Sequence, residues 1–134
     1  MVPSFDEYGN LPPGIHSASL EEVVERFGHG SVEREVEVRE LVELVGWARQ
    51  HGVRRLVVNG SFVTSKRRPN DVDVVLLPGL STMGEDAMID LEPQSWPFLQ
   101  ILVAADEADL ESWATADFGT DRQRRPKGVV EVIL

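Results

Sequence analysis

The sequence contains no cysteine, which excludes disulfides and zinc–thiolate sites and suits a reducing compartment. Long hydrophobic runs are missing as well. The longest apolar stretches, such as Phe98–Ala105, fall far short of the ~20 residues that a membrane-spanning helix needs. The first ten residues carry two acidic side chains and no basic one, which is not typical of a secretory signal. From these absences we expect a cytoplasmic protein that does not cross a membrane.

What is present is the composition of an ordinary globular domain. The 134 residues are 42% hydrophobic and 27% charged. Domains of roughly 100–150 residues bury enough surface to fold without disulfides or metals. We therefore expect one domain over residues 1–134.

Acidic groups outnumber basic ones, 23 to 13, and the net charge is −10. A polyanion is repelled by such a protein, so we expect no tight nonspecific binding to nucleic acid. The charge is unevenly distributed. Residues 81–117 hold nine acids and no base, whereas residues 52–80 hold five bases and two acids, and residues 118–134 four bases and two acids. The basic residues are thus concentrated in two short segments.

Turn-forming residues and apolar periodicity predict the secondary structure. The first eighteen residues are rich in turn formers, which predicts an ordered loop. Ser19 and Ser31 are placed to cap two amphipathic helices, the second ending near Gly52. Residues 79–97 show no convincing period and are expected to form a loop with at most a short helical piece. A short helix is expected over Glu107–Ala114.

Four short apolar, β-branched segments predict strands. They are Arg54–Asn59, Asp71–Leu77, Phe98–Ala104 and Gly128–Leu134. Helices and strands interleave along the chain, so the expected class is α/β or α+β, with a small mixed β-sheet flanked by helices.

The segment with the clearest chemistry is residues 59–75. A strand ends at Gly60 and Ser61, nine residues intervene, and Asp71 and Asp73 follow at the start of the next strand. Because side chains alternate along a strand, both carboxylates point to the same face. Two carboxylates so placed repel each other unless a cation lies between them, and hard oxygen ligands suit Mg²⁺ or Mn²⁺.

Gly60 would let the backbone approach a phosphate closely, and the Ser61 hydroxyl would donate to its oxygens. Each half of the pattern also has an ordinary structural interpretation. Gly-Ser after a strand is usually a turn, and Asp-x-Asp is common at strand ends. The combination in this order and spacing favours a functional site.

The pattern resembles the signature of the nucleotidyltransferase superfamily, at Gly60, Ser61, Asp71 and Asp73. The whole chain is similar to an uncharacterised bacterial family of minimal nucleotidyltransferase-like proteins. The segments that carry this likeness are Gly9–His16, Gly60–Lys66 and Pro126–Gly128.

This resemblance implies a mixed sheet flanked by helices, a nucleoside triphosphate held by Gly60 and Ser61, and Mg²⁺ on Asp71 and Asp73. The metal would align the α-phosphorus for attack by an unidentified acceptor, which could be a protein, an RNA or a small molecule. The resemblance also favours Lys66 as a nucleotide-binding residue.

The superfamily normally places a third carboxylate on a later strand. The corresponding strand here carries Gln100. Asp90, Asp106 or Glu107 could supply the missing oxygen, although all three are also ordinary loop acids. The alternative is a catalytically impaired module that acts as a binding or regulatory partner, for example in a toxin–antitoxin pair. A protein partner or a homodimer through an edge strand would fit that interpretation.

The two basic segments are candidate phosphate contacts. Lys66, Arg67 and Arg68 lie in the connection between the Gly-Ser turn and the two aspartates. The second segment would form another phosphate or nucleic-acid contact if the last strand lies near the second of the four, and otherwise its side chains are solvated. It comprises Arg122, Arg124, Arg125 and Lys127.

Overall fold

The computed structural model describes residues 2–79, 90–117 and 119–134. Within these ranges the chain forms a five-stranded mixed sheet and three α-helices. The elements are β1 (Ile15–Ala18), α1 (Leu20–Phe27), α2 (Val32–Gln50), β2 (Arg55–Asn59), β3 (Val72–Leu77), β4 (Leu99–Val103), α3 (Glu107–Ser112) and β5 (Val129–Val132). None of the helices in these ranges combines the length and the apolar character needed to cross a membrane.

The strand order is β1-β5-β2-β3-β4. The outer pairs, β1 with β5 and β3 with β4, are parallel, and β2 runs antiparallel to both of its neighbours. An ion pair links the central strand β2 to its neighbour β5, since Arg55 Nη2 lies 2.7 Å from Glu131 Oε1. The predicted mixed sheet with flanking helices is therefore confirmed, and β5 lies directly beside β2.

Alternation along β2 and β3 separates two apolar layers. Leu56, Val58, Val74 and Leu76 pack in one cluster with buried residues of α1 and α2. Val57, Val75 and Leu77 belong to a second cluster, which includes Leu110 of α3. Asp73 shares the face of Val75 and Leu77, so the face that carries the aspartates is the one opposite α1 and α2.

The predicted N-caps of the first two helices are confirmed. The Ser19 hydroxyl accepts the Glu22 N–H, and the Ser31 hydroxyl accepts the Arg34 N–H. Helix α2 ends at Gln50, two residues before Gly52. Gly52 has a φ of +67°, which is incompatible with a right-handed helix, so the helix cannot extend through it. All four predicted strands form, each shorter by one to three residues than expected.

The expectation of a loop over the first eighteen residues is wrong for Ile15–Ala18. This segment is strand β1, which pairs in parallel with β5 at the end of the chain. Four residues at an edge carry little local pattern, so the partner more than a hundred residues away determines the conformation. The α-helix expected over Glu107–Ala114 ends at Ser112, and a π-helical segment, Trp113–Asp117, follows it directly.

The expected loop over residues 79–97 can be assessed only in part, because residues 80–89 lie outside the described residues. The portion after them contains one short 3₁₀ turn, Pro93–Ser95, as a loop with a short helical piece requires.

Candidate functional site

A polar cavity of about 540 Å³ lies at the end of the sheet where β2 finishes and β3 begins. Three segments enclose it: the turn after β2, the start of β3, and the loop that precedes β5. Asn10 from the N-terminal segment completes the wall. The lining residues are Asn10, Gly60, Ser61, Thr64, Lys66, Asn70, Asp71, Asp73, Thr120, Asp121, Arg122, Gln123, Arg125 and Lys127. All five residues predicted from the sequence for nucleotide or metal binding are in this set.

The two aspartates line the cavity together, as the alternation along β3 predicts. Asp73 pairs with Asn59 of β2 on one side and with Gln100 of β4 on the other. Burial raises the pKa of the Asp73 carboxyl, and the neighbouring charge of Asp71 raises it further. Two carboxylates on one face of a strand are well suited to share a cation.

Gly60 lies against the carboxylate of Asp73. Its φ is +81°, a conformation that side chains disfavour, and a Cβ built on it would collide with Asp73 Oδ2. From the sequence, Gly60 is expected to allow the close approach of a phosphate. The structure shows a second reason for glycine, because only a residue without a side chain leaves room for the aspartate.

The turn after Gly60 presents Ser61, Thr64 and Lys66 to the cavity. It is a short 3₁₀ turn over Gly60–Val63. The Ser61 carbonyl accepts the Thr64 hydroxyl at 2.6 Å and the Thr64 N–H at 3.2 Å. The Ser65 N–H donates to the Gly9 carbonyl at 2.8 Å, which fixes the turn to the N-terminal segment. Arg67 and Arg68 are exposed and do not line the cavity.

A buried arginine from α2 holds this turn from behind. Arg34 is only 5% exposed. Its guanidinium donates to the carbonyls of Phe62 (2.7 Å), Thr64 (2.7 Å) and Lys66 (2.5 Å), and to that of Phe27 at the end of α1 (3.0 Å). Burial lowers the pKa of Arg34, and the nearby Glu37 counteracts this. Sequence reasoning missed Arg34, since one basic residue in an acidic helix looks like a solvent-exposed group.

Glu37, one turn further along α2, was also missed. It is 1% exposed, and neither carboxylate oxygen has a hydrogen-bond partner among the described residues. Burial raises its pKa to about 7, an effect opposed by the charge of Arg34 and reinforced by that of Asp71. Glu37 is the one buried glutamate of α2, and the acidic composition of the helix does not distinguish it from the others.

The place expected for a third carboxylate is occupied by an amide. Gln100 faces Asp73 across the parallel pair, and its Nε2 donates to Asp71 Oδ2 at 2.7 Å. Throughout residues 2–79, 90–117 and 119–134 there is no group of three or more His, Cys, Asp or Glu side chains that could hold a metal ion.

The three other candidate acids have different partners. Asp90 accepts from Trp47 Nε1 near the end of α2, and Asp106 caps α3. Glu107 pairs with Arg54, which lies at the opposite end of β3 from the aspartates. None of them lines the cavity.

The second basic segment reaches the cavity although β5 pairs with β2 and is separated from β3, the strand of the aspartates, by β2. Arg122, Arg125 and Lys127 line it, whereas Arg124 turns away at a φ of +61°. Burial lowers the pKa of Lys127, although the carboxylates of Asp73 and Asp121 favour its charged form. A half-buried ammonium group therefore stands in the same cavity as the aspartates.

The N-terminal segment supports this loop closely. The Gly128 N–H donates to the Leu11 carbonyl, and a Cβ on Gly128 would collide with the Pro12 carbonyl oxygen and press on the His16 ring. Asn10, which the sequence pattern did not single out, donates from Nδ2 to Asp121 Oδ2 at 3.0 Å. All three segments that carried the sequence resemblance thus meet at one place.

The donor set suits Mg²⁺ or Mn²⁺ bound together with a phosphate. Proteins often hold Mg²⁺ through one or two carboxylates, with substrate phosphates and water supplying the remaining ligands. Asp71 and Asp73 provide two hard oxygen donors on one face. Burial raises the pKa of Asp73, and the charge of Asp71 adds to this effect.

Comparison with known proteins gives one result. No curated protein and no solved structure matches the chain significantly. A family model matches residues 3–133, nearly the full length. The chain therefore belongs to the family of unknown function DUF6932.

Proposed function

We propose that the protein binds a nucleoside triphosphate with Mg²⁺ or Mn²⁺ in the polar cavity and transfers the nucleoside monophosphate to an acceptor. The observation that carries this proposal is the convergence of three chemically distinct elements in one cavity. The Gly60–Ser61 turn allows close approach of a phosphate and provides a hydroxyl donor. Asp71 and Asp73 provide metal ligands, and Lys127 provides a positively charged ammonium group.

The triphosphate is held by the turn and by the basic loop. Ser61, Thr64 and Lys66 of the turn line the cavity from one segment, and Arg122 and Lys127 add positive charge from the loop before β5. Phosphoryl and nucleotidyl transfer require positioning and charge neutralisation more than covalent participation of the protein. The fixed turn provides the positioning, and the three basic side chains provide the charge neutralisation.

Asp71 and Asp73 hold the cation. When bound, the metal neutralises phosphate charge and makes the phosphorus more open to attack. The Gln100 amide orients Asp71, and the contact with Gly60 restricts the Asp73 carboxylate. The acceptor is an unidentified group on a protein, an RNA or a small molecule.

Isothermal titration tests the binding step. Each of the four nucleoside triphosphates is titrated into the wild type with and without Mg²⁺, and into a double variant, Asp71→Asn with Asp73→Asn. Asp90→Asn is the control, because it removes an acid outside the cavity. Metal-dependent binding should be present in the wild type and the control and lost in the double variant. A wild type without metal-dependent nucleotide binding would refute the proposal.

One observation favours a second function. Gln100 stands where a third carboxylate would assist the acceptor, and it is already bonded to Asp71. A protein that binds the nucleotide without transferring it would act as a binding or regulatory module, as in a toxin–antitoxin pair. Transfer from α-³²P-labelled triphosphates to protein and tRNA acceptors separates the two functions. Labelling that requires Asp73 excludes the module, and nucleotide binding without labelling favours it.

A further inference from the structure

The charge of Arg125, in the cavity lining, is already neutralised by an ion pair with Asp121. Arg125 Nε donates to Asp121 Oδ2 at 2.6 Å, and Nη2 donates to Gln123 Oε1 at 3.0 Å. Asp121 also accepts from Asn10 and from backbone N–H groups. Although burial acts to raise it, these hydrogen bonds hold the pKa of Asp121 well below its usual range. The ion pair therefore persists at neutral pH, and Arg125 is a poor candidate for a phosphate anchor.

The same guanidinium is supported by an aromatic ring. The Arg125 Cζ lies over the ring of Tyr8, 4.1 Å from its centroid, and Tyr8 is 54% exposed. A planar guanidinium held on an aromatic ring is a flat surface that is more weakly hydrated than an ammonium group. Arg125 also lines the cavity, so this flat group belongs to the cavity wall.

Among the described residues, the cavity lining offers a nucleobase two guanidinium planes, those of Arg122 and Arg125, and the plane of Arg125 is the one held on an aromatic ring. In the part of the chain that the structure describes, the lining contains neither an aromatic nor an aliphatic side chain. A triphosphate would be held by charge and hydrogen bonds, but a base bound there could stack only on a guanidinium plane or remain in solvent.

We infer that Arg125, supported by Tyr8, forms the nucleobase subsite of the cavity, on which the base of the nucleoside triphosphate stacks. This inference rests on the proposed nucleotide binding. It divides the basic loop by role, with Arg122 and Lys127 on the phosphates and Arg125 on the base.

A stacking subsite of this kind predicts which nucleobases the protein binds more tightly. Nε and Nη2 of Arg125 are already bonded to Asp121 and Gln123, so the guanidinium presents chiefly its face to the base. Stacking rather than hydrogen bonding then determines preference, and stacking grows with the area of the ring system. Purines should bind more tightly than pyrimidines, with little difference between adenine and guanine.

The experiment compares dissociation constants for the Mg²⁺ complexes of ATP, GTP, CTP, UTP and inorganic tripolyphosphate. Arg125→Lys keeps the charge and removes the plane, Tyr8→Leu removes the support, and Tyr8→Phe keeps the ring as a matched control. In the wild type and the control, purines should bind about fivefold more tightly than pyrimidines, equivalent to the lower range of base stacking. Arg125→Lys should abolish this ratio and change tripolyphosphate affinity less than about twofold. Tyr8→Leu should reduce the ratio.

Triphosphate binding without a purine preference in the wild type overturns the subsite alone. So does a preference that survives both Arg125→Lys and Tyr8→Leu. A wild type that binds neither tripolyphosphate nor any nucleotide overturns the proposed function and the subsite with it. Because Tyr8 is exposed and outside the core, its variants remain informative even if Arg125→Lys fails to fold.

Discussion

The amide of Gln100 is hydrogen-bonded to the carboxylate of Asp71, Nε2 to Oδ2 at 2.7 Å, across the parallel strands β4 and β3. This bond occupies one carboxylate oxygen and places a neutral group beside Asp73. A carboxylate at the same position would add a metal ligand but would also repel both aspartates in the absence of a cation. The amide therefore favours an ordered site before metal binds, with one charged ligand fewer.

Replacing Gln100 by glutamate should strengthen metal binding. Gln100→Glu supplies a third carboxylate of the same length, and its mutual repulsion with Asp71 and Asp73 is relieved by a divalent cation. We expect Mn²⁺ affinity, measured by electron paramagnetic resonance, to rise about tenfold, or about 1.4 kcal/mol. Gln100→Met, similar in length and uncharged, should produce no increase. Equal affinity of Gln100→Glu and wild type would show that residue 100 does not reach the metal.

Adding a methyl group to Gly60 should disable the site. Gly60→Ala would combine the strain of a φ of +81° with a collision against Asp73 Oδ2. Gly30→Ala is the matched control, since Gly30 has a φ of +102° and an added methyl group there would meet nothing within 4 Å. Both variants should lose about 1–3 kcal/mol of unfolding free energy from strain. Only Gly60→Ala should also lose metal-dependent nucleotide binding by titration, and retained binding would contradict the proposed role of this contact.

The sequence predicts the parts of this site that depend on local pattern. Alternation places Asp71 and Asp73 on one face, and the position of Gln100 follows from counting along the next strand. Arg34, Glu37 and Asn10 could not be found in this way. Their roles depend on contacts with segments far away in the chain, which local periodicity does not record.

The same reason explains the incorrect loop at Ile15–Ala18. This short strand forms because β5 lies beside it, and the sequence of four residues alone does not reveal the partner. The location of the second basic segment was conditional for the same reason. It depended on the last strand lying near β3, whereas in the folded chain β5 pairs with β2 and is separated from β3 by that strand.

Arg34 should hold the turn that carries Ser61 and Lys66. Arg34→Lys retains the charge, but an ammonium group has three N–H donors on one atom and cannot replace the five hydrogen bonds by which the guanidinium reaches four carbonyls. The variant therefore leaves buried carbonyls without partners. We expect a loss of about 2–4 kcal/mol in unfolding free energy, measured by denaturant titration. Amide exchange at Thr64 and Ser65 should also accelerate. Arg39→Lys on the exposed side of the same helix should change neither quantity. Unchanged exchange in a folded Arg34→Lys protein would contradict this role.

Glu37 should make the stability of the protein depend on pH. Its pKa is raised from an ordinary 4.5 to about 7 in the folded state, chiefly by burial. Between these values the unfolded chain has released the proton and the folded chain retains it. Unfolding free energy should therefore fall as pH rises from about 4.5 to about 7, and this contribution should be constant above that range.

Glu37→Gln removes this titration while preserving the shape of the side chain. The groups whose charges act on Glu37 are Arg34, Asp71, Glu33 and Lys66, and all of them remain in the variant. Relative to the wild type, the variant should gain on the order of 2 kcal/mol between pH 5 and pH 8. Denaturant titration of both proteins at the two pH values measures the difference. A difference that does not change with pH would show that Glu37 is ionised in the folded protein throughout this range, with its charge balanced by Arg34.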